Sequence, residues 1–128
     1  MLRQTPAVHA GGVTHPVRTA MSVAAGVSGT AVYEVTQDQT LVSARVRLYA
    51  GNQLSMQVTL GVIRSDTFMP IVQDAVGSKS YIDGDNEDIL LHCDWKVYAG
   101  DQLAVMYNNI DPTYTYDFAV TWQLVGRS

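Results

Sequence analysis

Cysteine, charge and long apolar runs are all scarce in this sequence, and each scarcity excludes a class of protein. The single cysteine, Cys93, cannot form an intramolecular disulfide, so the fold does not depend on an oxidising compartment and we expect it to form inside a cell. No apolar run approaches the length of about 18 residues that a membrane-spanning helix requires. The first 20 residues also lack the apolar core of a signal peptide, so we expect no membrane partner and no secretion signal.

Charged residues make up only 16% of the 128-residue chain, against a usual share of about 25%. The net charge is -4, with five arginines against two acids in residues 1–64 and three bases against ten acids in residues 65–128. This division favours head-to-tail contacts between subunits, although a chance difference between surface loops would produce it as well. Because a nucleic-acid-binding protein needs a basic stripe, the acidic balance argues against a nucleic-acid partner.

Helical periodicity is also missing, since no segment shows it for more than about two turns. The chain contains a near-repeat instead: Tyr49-Ala50-Gly51-Asn52-Gln53-Leu54 recurs as Tyr98-Ala99-Gly100-Asp101-Gln102-Leu103. Charged and apolar residues alternate before each glycine, and the alternation resumes after it, which is typical of β-strands. We predict that Gly51 and Gly100 take positive φ in tight turns that close two antiparallel hairpins.

The same alternation predicts about eight strands and one hydrophobic core. Trp95 and Trp122 are the expected core anchors, and Pro70 places its strand at a sheet edge or a bulge. The chain is therefore predicted to be all-β, an antiparallel β-sandwich of jelly-roll or Greek-key type. The predicted strands span residues 21–28, 30–36, 42–50, 54–63, 67–73, 89–97, 103–107 and 114–126.

Residues 1–20 are predicted to form an extended N-terminal arm, and residues 21–128 the β-sandwich domain. The arm holds two prolines and a Gly-Gly pair without usable periodicity, so we expect a partner surface to order it and the sandwich to fold without it. The alternative is that it folds back over its own sandwich. The residues expected to bind a partner are Arg3, His9, His15, Val17 and Arg18.

Two groups of residues suggest binding chemistry, and each has a structural alternative. Asp83, Asp85, Glu87 and Asp88 supply oxygen ligands for Ca²⁺ but lack a calcium-loop spacing, so a solvated turn with Gly84 at positive φ is the alternative. We expect no cofactor and no metal requirement. Cys93 falls on the inward face of its strand, which favours a packed, unreactive thiol.

Aromatic residues near the C-terminus suggest a sugar-stacking platform or a core. Three of them, Tyr107, Tyr116 and Trp122, lie on strand faces predicted to point inward, and Tyr114 is the first residue of the last predicted strand. Packing in the core is therefore favoured over carbohydrate binding.

Two features together, the proline-containing arm and a compact sandwich with the Ala99-Gly100-Asp101-Gln102-Leu103 hairpin, resemble the small jelly-roll proteins of tailed-bacteriophage virions. The turn and last strand also resemble the trimeric tumour-necrosis-factor-like and complement-like jelly rolls. The resemblance implies a non-enzymatic virion structural protein, a capsid decoration or cement protein that stabilises a particle lattice.

The partners implied by this resemblance are copies of the chain itself, as a trimer, and another virion protein such as the major capsid protein. It also implies a protein made in the host cytoplasm and then located in the virion. The alternative is a carbohydrate- or receptor-binding sandwich of a phage tail or head fibre, which would use end loops such as 110–114.

Overall fold

Eight antiparallel strands carry the alternation seen in the sequence. The computed structural model describes residues 12–49, 51, 54–71 and 81–127, and these residues contain strands and no helix. The all-β prediction is therefore confirmed. The strands are β1 (Gly12–Val23), β2 (Ser28–Glu34), β3 (Gln39–Leu48), β4 (Met56–Arg64), β5 (Thr67–Pro70), β6 (Glu87–Val97), β7 (Gln102–Asn109) and β8 (Tyr116–Arg127).

The strands form two four-stranded sheets that pack as a sandwich. One sheet has the order β1-β8-β3-β6 and the other the order β2-β7-β4-β5. Among the connections between these eight strands, only the one between β4 and β5 stays within a sheet, and the others pass from one sheet to the other. This is the double-sheet arrangement of a jelly roll.

The core lies between the sheets and is built from the inward face of every long strand. Trp122 and Phe118 of β8 are fully buried, as is Leu60 of β4. Trp95 is only partly buried against this core because β6 is an edge strand, so Trp122 is the stronger of the two predicted anchors. The edge position expected from Pro70 is also confirmed, since β5 forms the edge of its sheet.

The two repeated turns are corners between the sheets and do not close hairpins. Gly51 and Gly100 both have φ of +97°, as predicted. However, β3 pairs with β6 and β8, while β4 pairs with β5 and β7. The predicted β3–β4 and β6–β7 hairpins are therefore wrong. Alternation shows which face of a strand is buried, but it does not identify the neighbouring strand.

The hairpin that the structure does contain joins β4 to β5 through Ser65 and Asp66. Both residues have positive φ, 52° and 63°, which is the requirement of a two-residue type I′ turn. A type I′ turn matches the twist of the flanking strands, so β5 pairs directly with the end of β4.

Residues 12–20 belong to the sandwich, which corrects the predicted boundary between an arm and a domain at residue 20. They lie in β1, which pairs with β8 from Gly12–Arg127 to Val23–Tyr116. Val17 and Met21 pack against the core and Val23 is 2% exposed. Residues 1–11 lie outside the described residues. The alternative in which this segment folds over its own sandwich therefore applies to residues 12–20.

Removal of residues 1–20 should destabilise the fold. The shortened chain would lose most of the β1–β8 ladder and uncover one edge of β8, at a cost on the order of 5 kcal/mol, which is comparable to a total stability of about 5 to 15 kcal/mol. We expect loss of cooperative thermal unfolding by circular dichroism, or insolubility. A shortened chain that stays β-rich and melts within a few degrees of the full chain would show that β1 is dispensable.

Candidate functional site

The loops between the strands gather at the two ends of the sandwich. Four connections lie at one end, which we call the four-loop end, and their described residues are 24–27, 49, 51, 54–55, 71, 81–86 and 110–115. Backbone hydrogen bonds join them, from Gly26 N to Asp111 O at 3.0 Å, from Ile110 N to Ser55 O at 3.0 Å and from Asn86 N to Tyr49 O at 3.4 Å. The remaining connections, 35–38, 65–66 and 98–101, lie at the other end, the three-loop end. The two ends differ in chemistry.

A buried amide side chain organises the four-loop end. Asn109 is fully buried, and its Nδ2 donates to Val23 O at 3.0 Å, Ala24 O at 3.3 Å and Tyr114 O at 2.9 Å. Its Oδ1 accepts a hydrogen bond from Asp111 N at 3.0 Å. One amide therefore satisfies backbone groups in two different loops, which would otherwise be buried without partners.

The carboxylate of Asp111 fixes the 110–115 loop. Its Oδ1 accepts hydrogen bonds from the backbone N–H groups of Thr113 and Tyr114 at 2.7 and 3.0 Å, and its Oδ2 accepts one from the Tyr116 hydroxyl at 2.7 Å. The phenol hydrogen bond, followed by the two backbone bonds, lowers the pKa of Asp111. The same bond raises the pKa of Tyr116. The loop is thus held in one conformation by an Asx-type turn and a phenol–carboxylate bond.

Four large apolar side chains are exposed at the four-loop end. Val27, Leu54, Ile110 and Tyr114 are exposed by 43%, 56%, 53% and 63%. They are half of the large hydrophobic side chains that are exposed in the described part of the chain. Backbone hydrogen bonds run from Asn109 N to Val27 O and from Ile110 N to Ser55 O. They hold the loop segments that carry Val27, Leu54 and Ile110 next to one another. Apolar side chains clustered on a fixed backbone mark an interaction surface more often than single exposed residues do.

Leu54 also has an unusual backbone, with φ of +64°. Bulky residues rarely adopt the left-handed region, and the conformation costs on the order of 1 kcal/mol. The leucine side chain stays 56% exposed in this conformation, so its own burial in the core does not offset the cost. Residues with strained backbone concentrate at binding sites, which adds to the case for the four-loop end.

The three-loop end is closed by an ion pair. Arg64 donates to both carboxylate oxygens of Asp101, at 2.7 Å for the Nη2–Oδ2 contact, and its guanidinium lies 5.0 Å from the Tyr98 ring centroid. The Asp101 carboxylate also accepts a bond from Tyr98 N at 2.9 Å. These contacts keep the Asp101 side chain only 6% exposed, so this end offers a closed, charge-paired surface.

The pKa of Asp101 is lowered from its usual 3.8, first by the hydrogen bond from Arg64 and then by the Tyr98 N–H, against the opposing effect of burial. A carboxyl group with a lower pKa in the folded state stabilises the fold above its unfolded pKa. The stability from Asp101 is therefore fully present near neutral pH and is lost as the pH falls through the folded pKa.

The outer face of the β1-β8-β3-β6 sheet carries the basic residues. The Arg47 guanidinium lies 5.1 Å from the Tyr49 ring centroid, and Arg18 donates to the Tyr49 hydroxyl at 3.3 Å. Arg45 forms an ion pair with Asp88 at 3.2 Å. This ion pair neutralises, inside one chain, part of the charge difference between the two halves of the sequence. It therefore favours a chance difference between surface loops over head-to-tail contacts between subunits.

The four calcium candidates do not converge in the structure. Asp85 accepts a bond from Gly51 N at 2.7 Å, Asp88 pairs with Arg45, and Glu87 bonds to Arg47 through its backbone oxygen. Asp83 lies in the same loop and is half-buried. Within the described residues, no group of three or more metal-binding side chains occurs.

The positive φ expected at Gly84 belongs to Asn86, at 59°. Position 84 requires glycine for a steric reason, because a Cβ there would collide with the Glu87 side chain.

The predicted partner-binding residues of the N-terminal segment separate into two groups. Arg3 and His9 lie outside the described residues. His15 has its Nδ1 3.4 Å from Gln39 Nε2 and its ring edge-on to Tyr33 at 6.3 Å. Val17 packs against the chain's own core, so it is not free to contact a neighbour as expected. Arg18 remains exposed on the sheet face.

The remaining sequence candidates lie close to where the alternation put them. Cys93 packs partly buried against the core, and burial raises the pKa of its thiol. Tyr116 and Trp122 are buried and Tyr107 is partly buried, whereas Tyr114 is exposed at the four-loop end. The described residues contain no helix that is long and apolar enough to cross a membrane.

Sequence reasoning missed Asn109 and Asp111, which organise the four-loop end. A signal for Asn109 was present, because the inward positions Leu103, Val105 and Tyr107 of β7 continue to residue 109 at the same spacing of two. A polar residue at such a position must find internal partners. Asp111, in the Asp-Pro pair that follows, had the composition of a turn.

Replacing Asn109 with alanine should destabilise the protein by about 2 to 4 kcal/mol, because buried polar groups left without partners cost about 1 to 3 kcal/mol each. Denaturant unfolding measures the loss, and amide hydrogen exchange should accelerate in residues 24–27 and 110–114. Asn108→Ala is the matched control, since this neighbour is exposed, and it should change stability by less than about 0.5 kcal/mol. Equal stability of the two variants would show that the Asn109 amide does not hold the loops.

Comparison with known proteins shows a likeness of fold. No protein-family model and no curated protein sequence matches the chain. Among solved structures, the crystal structure of FLHE is similar, with a TM-score of 0.53 and 14% sequence identity over 92% of this chain and 99% of the FLHE chain. At this level of identity, the chain is similar to FLHE in fold alone.

Proposed function

We propose that this protein is a non-enzymatic structural protein of a virion, of the capsid decoration type, which attaches to another virion protein through its four-loop end. The observation that carries the proposal is the row of exposed apolar side chains, Val27, Leu54, Ile110 and Tyr114, on loops fixed by Asn109 and Asp111. The virion setting rests on the sequence resemblance to jelly-roll virion proteins.

Fixed loops favour attachment because little conformational entropy is lost when they bind. Immobilising a flexible side chain on binding costs about 0.5 to 1.5 kcal/mol. A loop that is already ordered in the free protein loses little further backbone entropy when it binds. Tyrosine is common among residues that dominate interface energy, because it buries a large ring with few rotatable bonds. Tyr114 combines an ordered backbone with a ring available for burial. Its backbone N–H and C=O are both hydrogen-bonded, while its ring is exposed.

The chemistry of the two ends indicates which end faces a protein partner. At the three-loop end, Arg64 and Asp101 satisfy each other, so covering them would add little net energy. At the four-loop end, burying the exposed apolar surface of Ile110 and Tyr114 against a partner lowers the free energy of the complex. A partner with an apolar recess therefore fits the exposed apolar side chains of the four-loop end.

Self-association is part of the same proposal, with a trimer as the state implied by the resemblance to trimeric jelly rolls. One row across the β2-β7-β4-β5 sheet supports it: Val32 lies opposite Ala104, which lies opposite Gly61. Val32 is 52% exposed. A side chain at Gly61 would collide with the Phe68 ring, so this ring lies close over Gly61. The result is an uncharged row suited to a second copy.

An Ile110→Asp/Tyr114→Ala double variant should bind the particle about 100-fold more weakly, because each anchor at the centre of an interface contributes about 1.5 kcal/mol or more. The tagged chain is expressed in cells that produce the particles, and the particles are separated on a density gradient. Wild-type chain is expected in the particle fractions and the double variant in the soluble fractions.

Leu90→Asp is the control, because Leu90 is exposed to 41% on the outer face of the other sheet. It should co-sediment like the wild type. Wild-type chain that stays in the soluble fractions, or a Leu90→Asp variant that is lost while the double variant stays bound, would contradict attachment through the four-loop end.

A further inference from the structure

A groove of about 360 Å³ crosses the outer face of the β2-β7-β4-β5 sheet, next to the four-loop end. We call it the sheet groove. Its volume falls within the range of about 300 to 1,000 Å³ that small-molecule sites occupy. The residues that line it are Ser28, Gly29, Thr30, Gln57, Thr59, Tyr81, Met106, Tyr107 and Asn108.

Strand register arranges the outward side chains of the sheet groove in two rows. Ser28 lies opposite Asn108, which lies opposite Gln57. The second row, two residues along each strand, runs from Thr30 through Met106 to Thr59. Since neighbouring strands are about 4.8 Å apart, each row places three side chains about 10 Å from end to end.

Tyr81 forms the far wall of the sheet groove. Its neighbour Ile82 pairs with Val58 through two backbone hydrogen bonds of 2.7 and 2.9 Å, so this segment extends the sheet beyond β4. Ile82 is 1% exposed and points into the core. Because side chains alternate along extended backbone, Tyr81 stands on the outer face, about 14 Å from β2.

On the core side of the sheet, beneath the groove, Tyr107 closely approaches Gly29. A Cβ at residue 29 would lie 2.6 Å from the Tyr107 hydroxyl oxygen and 2.9 Å from Cζ. The Tyr107 ring also packs against Phe118 in the core, with centroids 5.8 Å apart. Residue 29 must therefore lack a side chain for this ring to reach the edge of the sheet, so β2 packs closely on the core beside the groove.

The chemistry of the lining selects the class of ligand. None of the nine residues is charged at neutral pH. Gln57 and Asn108 each offer amide donors and an acceptor, while Ser28 and Thr30 offer hydroxyls that donate and accept. Met106 lies between the two threonines of its row and is 42% exposed. Its side chain and the Tyr81 ring offer apolar surface. A ligand that matches this set carries many hydroxyls around apolar ring faces.

Other ligand classes fit less well. An anion would require cations, and Arg18, Arg45 and Arg47 lie on the outer face of the other sheet. A cation would require carboxylates, and none of the described residues that line the groove carries one. A wholly apolar ligand would leave the amides of Gln57 and Asn108 without partners, at a cost of about 1 to 3 kcal/mol for each buried group.

We propose that the sheet groove binds a neutral oligosaccharide, with Gln57 and Asn108 as its main hydrogen-bonding side chains and Tyr81 as the wall against which a sugar ring packs. The site is separate from the exposed loops of the four-loop end, so one chain can hold a particle partner and a glycan at once. It borders the row from Val32 to Gly61 that is proposed for self-association, so a second copy on that row would lie beside the glycan. The inference goes beyond the proposed attachment function and does not depend on it.

An array of neutral and anionic glycans, probed with the labelled full-length chain, tests the ligand class. The strongest neutral glycan is then titrated calorimetrically as a soluble oligosaccharide. Asn108→Ala and Gln57→Ala should each weaken its binding at least tenfold, with melting temperatures close to that of the wild type. Gln102→Ala is the matched control, because this amide lies on the same face of β7, one row beyond Ala104, and it should bind within twofold of the wild type.

Three results would overturn the proposal: no neutral glycan bound on the array, binding confined to anionic glycans, or equal loss in Asn108→Ala and Gln102→Ala. Tyr114→Ala separates the groove from the four-loop end and should bind the glycan within twofold of the wild type. If Tyr114→Ala abolished glycan binding and Asn108→Ala did not, the sugar site would be at the loops instead. Particle co-sedimentation uses other residues, so its outcome leaves this test unaffected.

Discussion

The passage of the chain from one sheet to the other at nearly every connection is the constraint on which the structure depends. Each crossing brings backbone N–H and C=O groups to the ends of the sandwich, where no neighbouring strand can pair with them. Side chains take over that role: Asn109 and Asp111 at the four-loop end, and Asp101 at the three-loop end. Without them, the ends of a jelly roll of this size would carry buried polar groups that lack partners.

The two ends meet this requirement differently, and the difference separates their roles. At the three-loop end, Arg64 lies over the Tyr98 ring and bonds to Asp101, so the two charges are paired inside the chain. At the four-loop end, the internal bonds use a neutral amide and the buried side of the loops, which leaves Ile110 and Tyr114 facing water. A surface that is both ordered and apolar is suited to docking, whereas a charge-paired surface is suited to solvent.

Strand alternation was sufficient to predict the all-β fold, the burial of Trp122, the edge position of Pro70 and the positive φ of Gly51 and Gly100. It could not predict which strands are neighbours, because pairing depends on contacts between distant segments. The sheet corners at Gly51 and Gly100 were therefore mistaken for hairpins. In β1, the inward spacing of Val17, Met21 and Val23 was present but was obscured by Pro16 and the preceding Gly-Gly pair. The four-loop end was missed because its organiser, Asn109, is a polar residue in a core position.

Site-specific photocrosslinking tests attachment through the four-loop end most directly. A photoreactive phenylalanine analogue replaces Tyr114 in one protein and Leu90 in another, and each is irradiated while bound to purified particles. We expect a crosslink from position 114 to a single particle protein, identified by mass spectrometry. We expect none from position 90, which lies on the outer face of the β1-β8-β3-β6 sheet. Crosslinking from position 90 with none from position 114 would contradict attachment through the four-loop end.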